Sequence, residues 1–272
     1  MSVSSLNGKV VLITGSGQGI GKATAEHFGK LGARICLNGR SAGKLKVVGD
    51  ELRAMGVHVQ EVAADVSDPQ ACEHLIAECI RHFGQLDVLV NNAGIASRGT
   101  IAETTPESWE QTMKINFNGA VNCTYYALPH LSESKGSVVL VSSMAAKVGV
   151  PGHAAYSASK MGLTAYARAL QNEFKKEDLH CGLVFVGFTE NETAKEILGP
   201  DGEYKSIPNR KGVKTASRES VAQAIARCVT QRKNQVTLTL MGKAQHILLK
   251  FAPGLVYFLL RRSFREYEET YR

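Results

Sequence analysis

Short, almost wholly apolar runs recur along this 272-residue chain, and the segments between them carry apolar residues at helical spacing. The apolar runs lie at 10–14, 34–37, 57–63, 86–90, 137–141 and 181–186. Helical stretches fall at 20–31, 44–55, 69–83, most of 108–131, and about 154–174. In the second of these, Leu45, Val48, Leu52 and Met55 share one helix face. A strand that is apolar on both faces must be covered on both, and a repeated β-then-α pattern predicts parallel strands with crossover helices on either side. The expectation is an α/β fold, a single doubly wound parallel sheet of about seven strands, in the order 3-2-1-4-5-6 with the last strand at 236–240. No repeat, low-complexity tract or linker divides residues 1–242, which read as one domain. Within it, 187–212 is rich in Glu, Lys, Asn, Gly and Pro, with a helical piece at about 192–198. It follows the sixth strand at the carboxyl edge of the sheet, where ligands bind in such architectures. It reads as a substrate lid, or as a plain surface insertion. Residues 243–272 form a separate basic extension.

Composition narrows the classes. A hydrophobic fraction of 44% suits a packed core. The net charge of +7 fits an anionic surface or simple solubility, and its basic residues cluster only toward the C-terminal end. There is no arginine-rich arm and no zinc-finger spacing, so no nucleic-acid partner is expected. Cysteines at 36, 72, 79, 123, 181 and 228 form no C-x-x-C pair and have no histidine cluster beside them. They read as buried free thiols in a reducing compartment, and no metal is expected. The polar first nine residues and the lack of a stretch of about 18 apolar residues point to no leader and no membrane span. The expected location is cytoplasmic, with peripheral membrane contact open.

The run Thr14-Gly15-Ser16-Gly17-Gln18-Gly19-Ile20-Gly21 joins the first apolar strand to the first helix. Glycines there let the backbone approach a pyrophosphate, and the helix turns its free N–H groups toward the phosphates. A tight strand-to-helix turn is the plain alternative, but this context makes a dinucleotide site credible. Gly15, Ser16, Gln18, Gly19, Ile20 and Gly21 are the candidate contacts. A carboxylate ending the second strand would favour NAD, yet Leu37-Asn38-Gly39-Arg40-Ser41 has none. Arg40 and Ser41 suit a 2′-phosphate, so NADP(H) is expected in preference to NAD(H). Arg40 as an ordinary surface arginine is the competing reading. Asp65 and Val66 would bracket the adenine, and Asn92, Ala93 and Gly94 close the fourth strand.

Tyr156-Ser157-Ala158-Ser159-Lys160 places a phenol and an ammonium four residues apart on one helix face. The lysine cation would stabilise the phenolate and bring the tyrosine from a pKa of about 10 toward neutrality, as a general acid/base requires. Tyr-x-x-x-Lys alone is common on amphipathic helices. Here Ser143 sits just past the fifth strand, where its hydroxyl could hold a substrate oxygen, and Asn116 lies in the preceding helix, where it could anchor a water.

Taken together, the glycine run, Asp65, Asn91–Gly94, Asn116, Ser143 and the Tyr156–Lys160 pair resemble the classical short-chain dehydrogenase/reductase (SDR) family, over about residues 8–240. The resemblance implies a Rossmann-type fold and an oxidoreductase. It also implies a catalytic tetrad: Tyr156 is the acid/base, Ser143 orients the substrate, Lys160 lowers the tyrosine pKa and contacts the cofactor ribose with Tyr156, and Asn116 holds a relay water. It further implies a homodimer or homotetramer.

Two segments depart from the family pattern. After the sixth strand the usual Pro-Gly is Val186-Gly187, and the usual nicotinamide-binding threonine falls on Asn191, leaving Gly187 with Thr189 or Thr193 as substitutes. The ending 243–272 resembles membrane-associated, DHRS7-like members of the family. Leu248, Phe251, Ala252, Leu255 and Leu259 follow helical spacing among basic residues, with a kink or restart at Pro253. Residues 243–265 could lie in a membrane interface, cover a partner subunit, wall off the substrate pocket, or stay disordered. Ser143, Met144, Val150, His153 and Phe188 would line a mostly apolar pocket, pointing to a hydrophobic ketone, aldehyde or alcohol as the small-molecule partner. His153 reads more readily as a surface histidine at a helix start. A non-catalytic dinucleotide sensor and a membrane-surface scaffold are the competing functions.

Overall fold

The structure is a computed structural model that describes residues 6–176, 178–190, 196–206, 215–238, 248–249 and 251–271, with backbone alone at 176 and from 263 onward. In chain order the strands are β1 (Val10–Ile13), β2 (Arg34–Gly39), β3 (Val59–Ala63), β4 (Val88–Asn91), β5 (Ser137–Ser143), β6 (His180–Val186), β7 (Glu196–Leu198), β8 (Tyr204–Ser206) and β9 (Gln235–Thr237). The helices are α1 (Gly19–Lys30), α2 (Ala42–Ala54), α3 (Pro69–Phe83), α4 (Pro106–Met113), α5 (Gly119–Ser134), α6 (Ala154–Glu173), α7 (Arg218–Thr230) and α8 (Pro253–Tyr271). A π turn at Lys114–Asn118 joins α4 to α5.

Seven strands form one parallel sheet in the order β3-β2-β1-β4-β5-β6-β9. The alternation within each strand explains the two-sided cover. Val10, Leu12, Val138 and Leu140 face one apolar layer, which also holds residues of α3, α5 and α6. Val11, Ile13, Val139 and Val141 face the other, with residues of α1, α2 and α7. Each fully buried Leu or Ile contributes about 1.5–3 kcal/mol. Local signals set the helix ends. At α3, Asp68 accepts from the Gln70 N–H at 3.0 Å, Pro69 opens the helix, and Gly84 closes it in the left-handed region at φ +76.

The sheet order reverses around β1, whose neighbours are β2 and β4, so the crevice for a ligand opens beyond the carboxyl ends of β1 and β4.

The main differences from expectation lie beyond β6. Residues 196–198, expected at the end of a helix, are strand β7, paired antiparallel with β8. The hairpin is seated by backbone bonds. Arg98 N–H donates to Leu198 O and Leu198 N–H to Ala96 O, both at 2.9 Å, and Thr105 N–H donates to Pro200 O at 2.9 Å. Edge pairing with a loop overrides helical propensity here. The last sheet strand ends at Thr237, while 239–240 lie outside the described residues, as do 192–195. All six cysteines are buried and free. Among the described residues no helix is long and apolar enough to cross a membrane.

Candidate active site

The glycine loop lies against the turn after β4 because it lacks side chains at the points of contact. A Cβ on Gly21 would stand 2.2 Å from the Gly15 carbonyl oxygen, and one on Gly15 would stand 2.9 Å from Cα of Ala93. Gly15 also has φ +65 and Gly19 φ +60, a region that L side chains avoid. Asn92 pins the loop by donating Nδ2 to Thr14 O at 2.9 Å and to Gly15 O at 3.2 Å. The Asn92 and Ala93 N–H groups both donate to Thr14 Oγ1 at 3.0 Å. Gln18, at the start of α1, gives no side-chain cap. Its amide oxygen instead accepts from the Lys44 ammonium at 2.7 Å. The first N–H groups of α1 and its positive dipole end therefore have no capping side chain and suit an anion. Ile20 packs against the α1-side apolar layer.

Ser16 is turned inward. Its N–H donates to Asn38 O at 2.7 Å and its hydroxyl accepts from Asn38 N–H at 2.9 Å. The sequence grouped Ser16 with the cofactor contacts, while the structure uses both of these groups to fasten the loop to β2. Ser41 caps α2, accepting from Lys44 N–H at 3.3 Å. Arg40 is exposed and lines a cleft of about 240 Å³ with Asp65, Ser67, Gln111, Lys114 and Ile115; Glu107 and Glu110 add two carboxylates. Asp65 Oδ1 is taken by the Ser67 N–H at 2.9 Å and hydroxyl at 2.8 Å. Val66 is buried beneath, and a Cβ on Gly119 would come within 2.7 Å of its side chain.

Two of the catalytic candidates, Lys160 and Asn116, meet beside Gly94. Lys160 is buried in α6 and donates Nζ to Val141 O at 3.1 Å, while Ser142 Oγ donates to Lys160 O at 3.1 Å. Burial pulls the ammonium pKa from 10.5 down to about 8. A Cβ on Gly94 would lie 3.0 Å from Asn116 Oδ1 and 3.3 Å from Lys160 Nζ, so three separate sequence segments converge there. Asn116 sits in the π turn, a helix irregularity frequent at functional sites. Its Oδ1 accepts from Ile95 N–H at 2.7 Å. Its Nδ2 donates to Ile95 O at 2.9 Å and Ser159 Oγ at 3.1 Å. Ser159 in turn donates to Tyr156 O at 2.8 Å, tying Asn116 to the turn that carries the half-buried Tyr156. Ser143 Oγ, the last side chain of β5, accepts from Ala145 N–H at 3.2 Å.

His153 is not a free surface group. Its Nδ1 bonds Ser97 O at 2.7 Å, and Gly99 N–H donates to Gly152 O at 3.0 Å. The same 96–99 segment holds β7, so it joins the hairpin to the start of α6. Met144 packs against the α6-side apolar layer. Val150 is half-buried and donates its N–H to Ser157 Oγ at 3.2 Å. Phe188 is 52% exposed. Beyond Gly187, Thr189 Oγ1 donates to Gly187 O at 3.4 Å and the residue bridges to Ala216. Asn191 and Thr193 lie outside the described residues. Sequence reading missed Thr14, Ser97, Ser159 and Lys44. Thr14 and Ser159 stand inside the quoted motifs, but their roles depend on partners 78 and 43 residues away.

A family model described as short chain dehydrogenase matches residues 9–200. The chain belongs to the short-chain dehydrogenase/reductase family. The chain is 32% identical over 265 residues to dehydrogenase/reductase SDR family member 7B of Bos taurus, covering 94% of this chain and 82% of that one. A short chain dehydrogenase/reductase from Burkholderia phymatum in complex with NAD has TM-score 0.81 at 23% identity, covering 92% and 95% of the two chains, and so shares the fold. A metagenomic short-chain oxidoreductase in complex with NADP has TM-score 0.72 at 28% identity, covering 87% of this chain and all (100%) of the other.

Proposed function

We propose that this protein interconverts a hydrophobic ketone or aldehyde and its alcohol, using NADP(H) and Tyr156 as general acid/base. The observation that carries this reading is the buried Lys160 ammonium, one helical turn from Tyr156 and beside Gly94 and Asn116. A cation there favours a phenolate over a phenol and eases proton transfer at the tyrosine oxygen.

The residues fit a nicotinamide dinucleotide phosphate. The Gly15–Gly21 cradle, which Cβ atoms would fill, and the uncapped start of α1 suit the pyrophosphate. Arg40, at the mouth of the cleft, suits a 2′-phosphate, and no carboxylate ends β2 to oppose one. When bound there, the dinucleotide would supply a hydride to the carbonyl carbon or take one from the carbinol carbon of the alcohol. In the reducing direction Tyr156 then gives its proton to the carbonyl oxygen as that oxygen gains charge, and the Ser143 hydroxyl steadies the same oxygen. Lys160 holds the resulting phenolate. The Asn116 side chain, held by Ile95 and Ser159, would anchor the relay water through the remaining acceptor capacity of Oδ1. Met144, Val150 and Phe188 make the substrate side apolar, and His153 holds its wall through Ser97.

Fluorescence titration with NADPH and NADH, followed by dinucleotide oxidation against hydrophobic ketones, tests the reading. NADPH is expected to bind about tenfold or more tighter, as two charge-assisted bonds allow. Equal or tighter NADH binding overturns the assignment of Arg40.

A further inference from the structure

Helix α8 is apolar on two faces, and only one of them is covered. Ala252, Val256 and Leu260 recur every four residues and turn inward, Val256 to 6% exposure and the other two half-buried. Phe258, 61% exposed, lies on the opposite side, Leu255 and Leu259, each 49% exposed, flank the buried row, and Phe251, just before the helix, is 76% exposed. A helix apolar all round needs a second apolar neighbour, and exposed apolar patches of this kind mark interaction surfaces.

Charge decides what that neighbour is. No Asp or Glu occurs between Glu219 and Glu266, while Arg227, Arg232, Lys233, Lys243, Lys250, Arg261, Arg262 and Arg265 all do. Residues 221–265 therefore carry +8, against +1 for the first 220 residues and –2 for the last seven, which together make the chain's +7. The exposed Arg261 and Arg262 stand one turn beyond Phe258, within reach of anionic groups above an apolar layer. A second copy of the chain would bring the same positive charge against itself. The uncharged run 251–260 spans about 15 Å as a helix, half of an apolar bilayer core of about 30 Å, so it suits lying in the interface rather than crossing it.

We propose that the outer face of α8, formed by Leu255, Phe258 and Leu259 with Arg261 and Arg262, docks the enzyme in the plane of an anionic lipid surface. The apolar residues sit among the upper acyl chains and the arginines meet headgroup phosphates and carboxylates.

Co-sedimentation of the full chain with phosphatidylcholine vesicles, with and without phosphatidylserine, tests this. The chain is expected to pellet with the phosphatidylserine vesicles and to be released by salt. Leu255→Glu/Phe258→Glu should abolish pelleting, and Arg261→Ala/Arg262→Ala should weaken it about fivefold per cation. Both variants should retain dinucleotide binding, which shows that they fold. No pelleting by the native chain overturns the proposal, as does pelleting undiminished in the Leu255→Glu/Phe258→Glu variant. A native oligomer that dissociates in that variant, without vesicle binding, would instead make the face a protein interface.

Discussion

The floor of the site, built by β1, β4, β5 and α6, and its outer wall, built by the β7–β8 hairpin, are held by different means. On the floor, side chains bond to backbone from distant segments. Asn92 grips Thr14 and Gly15 and Asn116 grips Ile95, all part-buried, and Lys160 reaches Val141 in the interior. The wall is held by a row of backbone bonds to 96–105 and one buried hydroxyl, Ser108 Oγ, which donates to Gly199 O at 2.8 Å. The floor fixes the geometry of a reaction shared across the family. The wall is a separately attached piece that can vary without disturbing that geometry.

Substitutions can sharpen or break this contrast. The largest effect is expected on the floor: Gly21→Ala forces a Cβ to 2.2 Å from the Gly15 oxygen and should weaken dinucleotide binding about 10- to 100-fold, read by fluorescence titration. Arg40→Asp should leave NADH binding intact and cut NADPH preference by about tenfold or more. Lys160 offers a pH test. The unfolded chain holds this proton up to about pH 10.5 and the folded chain only to about 8, so between those values the unfolded state binds more protons and stability rises with pH. Lys160→Met should remove that rise, worth roughly 3 kcal/mol at most, in denaturation curves compared with the native chain. The smallest effect belongs to the wall: Ser108→Ala leaves Gly199 O unpaired at a cost of about 1 kcal/mol, and should raise KM severalfold with kcat unchanged. If Ser108→Ala lowers kcat as much as the floor substitutions do, the two regions are not separable.

The same contrast explains what the sequence made legible. The parallel sheet and its order follow from apolar periodicity and from short motifs at the strand ends, because local spacing dictates them. The hairpin did not, since Glu196, Ile197 and Leu198 read as helix until their pairing with Tyr204–Ser206 and residue 97 is seen. His153 read as a surface group because its partner, the Ser97 carbonyl, lies 56 residues away. Ser16 lies within the motif but serves β2, a distinction only the fold reveals. Of the kink or restart expected at Pro253, the structure has a helix start, because a proline opens a helix more readily than it continues one.

The central claim rests on one oxygen atom. Tyr156→Phe removes that oxygen and leaves the ring, the α6 turn and the glycine cradle in place. Single-substrate assays of NADPH oxidation, paired with NADPH titration, should show binding like that of the native chain and turnover lowered by about 10²–10⁴-fold. Turnover at the native rate in this variant would contradict the account.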